Sequence, residues 1–158
     1  MSYGLDKMDK IDRQIIAALQ RDGRQKLAGL SEEVGLSPTP LARRIARLER
    51  DGIITGYTAR VDQVRLGLPL NIFIFVELER QSRDAVTTFE RSLRRFDEVM
   101  ECYLMTGTRD VLIRVVAADL PAFDRFLEDG LMQIPGIRSM RSSFALRTMI
   151  RRDVLPGL

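Results

Sequence analysis

Val34-Gly35-Leu36-Ser37-Pro38-Thr39-Pro40-Leu41-Ala42-Arg43-Arg44-Ile45-Ala46-Arg47-Leu48 is the stretch on which the fold turns. Gly35 suits the left-handed cap that stops one helix, Ser37 the N-cap of the next, and Pro38 its first position, where a missing N–H costs little. Pro40 still lies within that first turn. The spacing predicts a helix from about Pro38 to Asp51, apolar along Leu41, Ile45 and Leu48, with Arg43, Arg44, Arg47 and Arg50 off that side. Just upstream, Leu27, Leu30 and Val34 mark a shorter helix. Two short helices joined by a tight turn, the second opening on Ser-Pro-Thr-Pro and presenting arginines, read as a helix-turn-helix. Such a second helix enters the major groove by its N-terminal end. Ser37, Thr39, Pro40 and Arg43 lie nearest that end, with Arg44 and Arg47 one turn further along, in reach of base edges or phosphates. The alternative reading is a solvated arginine face.

Outward toward the N-terminus, Ile11, Ile15, Ile16, Ala18 and Leu19 fall at helical spacing, and Asp9 and Asp12 suit the start of that helix. Toward the C-terminus, Ile53 to Arg60 is short, β-branched and split by Gly56, which predicts a small hairpin, the wing of a winged helix. Residues 1–60 thus form a winged helix-turn-helix DNA-binding domain and residues 61–69 a linker.

From residue 70 to 158 the periodicity changes. Leu70 to Glu79 reads as a strand with Ile72, Ile74, Val76 and Leu78 on one face and Phe73, Phe75, Glu77 and Glu79 on the other. Ser82 to Phe96 reads as a helix, Val99 to Thr106 and Val111 to Val116 as strands, Leu120 to Leu131 as a helix and Arg138 to Ile150 as a last strand. That βαββαβ order predicts an α+β, ferredoxin-like domain with both helices on one face of an antiparallel sheet. Phe73 and Phe75 on the open face call for a second copy of the chain, so the domain is expected to assemble a homo-oligomer.

Composition narrows the chemistry. The formal excess of +3 sits in residues 1–60, where 3 Lys and 8 Arg face 8 acids, while 14 Arg balance 14 acids in the remainder. A basic excess confined to one domain fits a DNA-facing module. With no histidine, and with Cys102 as the single cysteine, neither a disulfide, a metal site nor a Ser-His-Asp triad is expected. No catalytic residue and no cofactor is assigned. Cys102, beside Met100 and Leu104 at strand spacing, reads as a small core residue in preference to a redox sensor. No apolar run approaches a membrane span, and Met1 to Lys10 carries Asp6 and Asp9 without an apolar core, so a cytoplasmic location is expected.

The segments Met8 to Ile16, Asp22-Gly23-Arg24, Val34 to Pro40 and Arg44 to Glu49, with Gly52, Ile54, Gly56, Tyr57 and Ala59, resemble the Lrp/AsnC family of feast/famine regulators. In the second half, Tyr103 to Asp110 is similar to the family's strand ending in a Gly-x-x-Asp loop, and Ile134-Pro135-Gly136-Ile137 to its loop before the last strand. The resemblance implies DNA binding through the third helix, dimers made through the βαββαβ domain, higher oligomers of those dimers, and amino-acid-like effectors bound between them. Thr106, Gly107, Thr108, Arg109 and Asp110 are the candidate effector residues: backbone N–H groups beside Gly107 can meet a carboxylate, and Asp110 an ammonium group. The same loop also reads as a tight turn in which Asp110 caps its own backbone. Two departures stand out, Ser31 where the family usually has alanine, and Thr108-Arg109 within the loop, where an arginine adds a carboxylate contact or blocks the pocket. The leading reading is a ligand-responsive, sequence-specific transcription factor. The alternatives are a DNA-packing protein, against which a charge of only +3 argues, and a haem-precursor decarboxylase, whose sites lean on the histidine this chain lacks.

Overall fold

The computed structural model describes residues 8–156, so the sequence expectations that rest on residues 1–7, the signal reading included, lie outside the described residues. Two compact units emerge, residues up to Arg60 together with the tail from Ile150, and Val61–Met149. The tail was expected in the second domain. In the first unit α1 (Lys10–Arg21), α2 (Leu27–Val34) and α3 (Pro38–Arg50) bury Ile15, Ile16, Leu30, Val34, Leu41 and Leu48 together. Gly35 takes φ +70° and returns its N–H to the Ser31 carbonyl, which ends α2 and sets the turn into α3.

The expected wing hairpin does not form. Ile53 and Ile54 both donate backbone N–H to the Leu48 carbonyl (2.9 and 3.1 Å), and the Tyr57 hydroxyl donates to Glu49 Oε1 at 2.9 Å. Residues 53–60 therefore follow the end of α3 without pairing as strands. A β-branched pair such as Ile53-Ile54 needs a partner strand to make a ladder, and the described residues of this unit supply none.

In the second unit β1 (Leu70–Leu78), α4 (Arg83–Leu93), β2 (Val99–Leu104), β3 (Val111–Ala117), α5 (Leu120–Arg125) and β4 (Ile137–Phe144) give the expected βαββαβ order, with an antiparallel sheet in the order β2-β3-β1-β4. Ile72, Ile74, Val76 and Leu78 face Phe89 and Leu93 of α4 and Phe123 of α5, so both helices cover one face. Beyond α5 the chain widens into a π-helical turn, Phe126–Gly130, and then tightens into a short 3₁₀ turn, Leu131–Gln133. β4 stops at Phe144, short of the expected Ile150. The register places Phe144 against Ile72, and the Ala145 N–H reaches the Asn71 carbonyl at 2.9 Å, so the start of β1 leaves nothing further to pair with. The released chain then joins the first unit, where Leu155 N–H donates to Gln20 Oε1 at 2.8 Å and Arg60 pairs with Asp153 at 2.6 Å. Residues 61–69, read as a linker, make a turn held by Gln63 Nε2 on the carbonyls of Leu68 and Leu70.

Candidate nucleic-acid interface and effector loop

The exposed N-terminal turn of α3 follows from its sequence. Ser37 is the N-cap, but its hydroxyl makes no capping bond. A capping oxygen accepts from the N2 or N3 amide; Pro40 at N3 has no N–H, and the Thr39 amide at N2 makes no bond to the Ser37 side chain. The Ser37 hydroxyl is therefore left to solvent beside Thr39, Pro40 and Arg43, all exposed. Arg43 has no carboxylate partner among the described residues.

Arg44 and Arg47 are placed differently from the expectation of a free arginine row. Arg44 Nη1 donates to Asp9 Oδ2 at 2.7 Å and to Asp12 Oδ1 at 2.8 Å, and Arg47 Nη2 donates to Asp12 Oδ2. Asp12 is 1% exposed. It also closes a capping box with Asp9 at the start of α1, each side chain accepting the other's backbone N–H. The Asp12 amide and the Arg44 guanidinium together hold the Asp9 carboxyl below its ordinary range, and the carboxylates of Asp12 and Asp9 raise Arg44 in turn. The spacing Asp9-x-x-Asp12 is legible as a helix start. Its pairing with a helix 32 residues on is not.

The candidate effector residues, Thr106 to Asp110, lie together in the turn between β2 and β3. Thr106, Gly107 and Thr108 are exposed, and Gly107 takes φ +116°, a conformation that side-chain-bearing residues avoid. Both oxygens of Asp110 are engaged, accepting from the Leu78 backbone N–H and from Gln81 Nε2, each at 2.7 Å. Asp110 thus caps the backbone of β1, and not that of its own loop as the tight-turn alternative has it. Arg109 pairs with Glu77, whose other oxygen accepts from the Ser139 hydroxyl at 3.0 Å, and so lies along the open sheet face rather than against Asp110. Gln81 and Glu77 carry no motif of their own and are found only through this geometry.

On that open face Phe73 and Phe75 are half-buried beside Leu112. On the opposite side, a cavity of about 320 Å³ opens between α4 and the edge strand β2, lined among others by Phe89, Leu93, Met100, Cys102 and Leu104. None of Thr106 to Asp110 lines it. Cys102 is exposed at its wall and not in the core, because α4 ends at Leu93 and leaves the edge strand partly uncovered. Partial burial and then the Glu90 charge raise its thiol, which disfavours the reactive thiolate. Among the described residues no carboxylate and cysteine cluster is placed to hold a metal, and no helix is long and apolar enough to cross a membrane.

Two family models match the chain, one for a winged helix-turn-helix DNA-binding domain over residues 8–55 and one for the Lrp/AsnC ligand binding domain over residues 71–155. The Bkd operon transcriptional regulator of Pseudomonas aeruginosa is 41% identical over 150 residues, covering 95% of this chain and 98% of the relative. The leucine-responsive regulatory protein of Escherichia coli K12 is 38% identical over 135 residues, covering 85% and 82%. Among solved structures, a transcriptional regulator from Neisseria meningitidis in complex with L-Met superposes with a TM-score of 0.88 at 37% identity, covering 94% of this chain and 96% of that one. With a helix-turn-helix unit ahead of the matched ligand-binding domain, and with relatives aligned along nearly its whole length, this chain belongs to the Lrp/AsnC family of transcriptional regulators.

Proposed function

We propose that this regulator reads double-stranded DNA through Ser37, Thr39, Pro40 and Arg43 at the start of α3, with Arg44 and Arg47 held alongside, and that an amino acid at Thr106–Asp110 modulates that binding. The observation that carries the DNA reading is the Ser37–Arg43 turn, which exposes a non-capping hydroxyl and an arginine without a carboxylate partner among the described residues at the N-terminal end of α3, the end by which such a helix enters a major groove. An amino acid as effector is supported by the names of the relatives, one leucine-responsive and one complexed with L-Met. The loop suits it chemically. Gly107 opens backbone N–H groups to a carboxylate, while Asp110, already accepting two bonds, has lone pairs left for an ammonium group. A homodimer formed through the open sheet face, and a cytoplasmic location, complete the reading.

Selection of duplexes from random sequence, followed by binding measurements on the full chain, tests it. Arg43→Ala should lower affinity for the selected duplex by about 1 to 3 kcal/mol if Arg43 reads a base. A thermal-shift screen of the amino acids should find one that raises the melting temperature. Thr108→Glu, which sets a carboxylate beside the ligand's own, should abolish that shift and leave DNA binding intact. A chain that selects no sequence, or that no amino acid stabilises, would sink the corresponding half.

A further inference from the structure

The buried carboxylate of Asp12 does more than start α1. Taking a carboxylate out of water costs several kcal/mol unless it is paired and fully hydrogen-bonded. Here two guanidinium groups and the Asp9 amide meet that need. Both guanidinium groups come from α3, so Asp9, Asp12, Arg44 and Arg47 form a cluster with no net charge. Arg50 in turn lies 3.3 Å from Asp51. Of the four arginines that make α3 look strongly basic in sequence, only Arg43 has no carboxylate partner among the described residues. Unpaired arginines near DNA seek phosphates, which raises affinity for every sequence alike, whereas contacts to base edges separate one sequence from another.

We propose that Asp12 is a specificity-determining residue for DNA binding: by holding Arg44 and Arg47 against the start of α1, it withdraws two phosphate-seeking charges and leaves discrimination to the Ser37–Arg43 turn. This inference rests on the DNA reading above. Arg44 and Arg47 keep side-chain exposures of 27% and 39%, so release from Asp12 leaves Arg47 free to swing to a nearby phosphate and Arg44 held by Asp9 alone.

The test measures full-length protein on two duplexes across a range of salt, one selected by the wild type from random sequence and one scrambled. Asp12→Asn should tighten binding to the scrambled duplex several-fold and steepen its log–log salt slope by about 1 to 2, since each phosphate neutralised adds about 0.9. The ratio between the two duplexes should fall. A purely structural role for Asp12 would weaken both duplexes in parallel with an unchanged slope, and that result, or no change at all, overturns the proposal. Should Asp12→Asn fail to fold by circular dichroism, Asp9→Asn decides. Asparagine keeps the cap and the buried carboxylate stays, while one of the two bonds on Arg44 loses its charge. It should shift the slope in the same direction by a smaller amount, and an unmoved slope sinks the idea. A wild-type chain that binds no duplex removes the DNA reading and this inference with it; a selective wild type beside an equally selective Asp12→Asn removes the inference alone.

Discussion

Single residues carry two contrasts between what surrounds a group and what it needs. Ser31 sits 8% exposed in α2, and its hydroxyl has no hydrogen-bond partner among the described residues. An unsatisfied buried hydroxyl costs more than it returns, and alanine is also the better helix former. Ser31→Ala is therefore expected to raise stability by about 1 kcal/mol in urea unfolding. A loss of stability would mean that the hydroxyl has found a partner, most simply a buried water. Tyr57 presents the opposite case. Partial burial and then the Glu49 carboxylate push its hydroxyl up to about 12. A phenol whose ionisation is raised in the folded state contributes stability that is complete below its ordinary value near 10 and is lost as pH rises from there towards 12. Titration by tyrosinate absorbance, wild type against Tyr57→Phe, should show the missing step well above the ordinary tyrosine range. A step at the ordinary value would break the Tyr57 to Glu49 bond and with it the account of why residues 53–60 lie along α3.

Elements show where the sequence was legible and where it was not. Helices α1 to α3 and the buried face of β1 are written in local periodicity, and Ile72, Ile74, Val76 and Leu78 all proved buried. Boundaries that depend on a partner elsewhere are not local. The end of β4 is set by where β1 begins, and the absent wing hairpin by the lack of a strand among the described residues for Ile53-Ile54 to pair with. The turn at Gly107 is written in local sequence, but the bond from Leu78 N–H to Asp110 joins residues 32 apart and is not. The π-helical turn after α5 was equally hidden, and it packs against the distant Phe96. The Phe96 ring stands edge-on to Phe126, with centroids 5.5 Å apart, and a Cβ placed on Gly130 would lie 2.8 Å from Phe96 Cε1. Gly130→Ala must push that ring out of its place. Overpacking of this kind costs about 1 to 3 kcal/mol, readable as a lower melting temperature. An unchanged melting temperature would show that Phe96 has room to move, and that the turn owes its shape to something else.

At the scale of the whole molecule the chain joins a reading head to a sheet whose outer face is incompletely covered. One copy of α3 offers few base contacts, and two copies joined through a sheet convert the second half-site contact into an intramolecular event with a high effective concentration. Symmetry then requires the two half-sites to be related by a two-fold axis. On this reading Phe73 and Phe75 serve DNA binding without touching DNA. Phe73 lies opposite Arg114 and Ser143 on the open face, so an aspartate there keeps its side chain in water in a monomer and loses hydration only where a second sheet docks. Phe73→Asp in the full chain should leave the circular dichroism spectrum unchanged and shift sedimentation from dimer, or larger, to monomer. Its affinity for a duplex carrying two half-sites should fall to that for a single half-site, while wild-type affinity for the single half-site should equal that of the variant. A folded variant that still sediments as a dimer would place the interface elsewhere, with the uncovered groove between α4 and β2 as the next surface to test. A monomeric variant that binds the double site as tightly as wild type would show that assembly and operator affinity are separate properties of this fold.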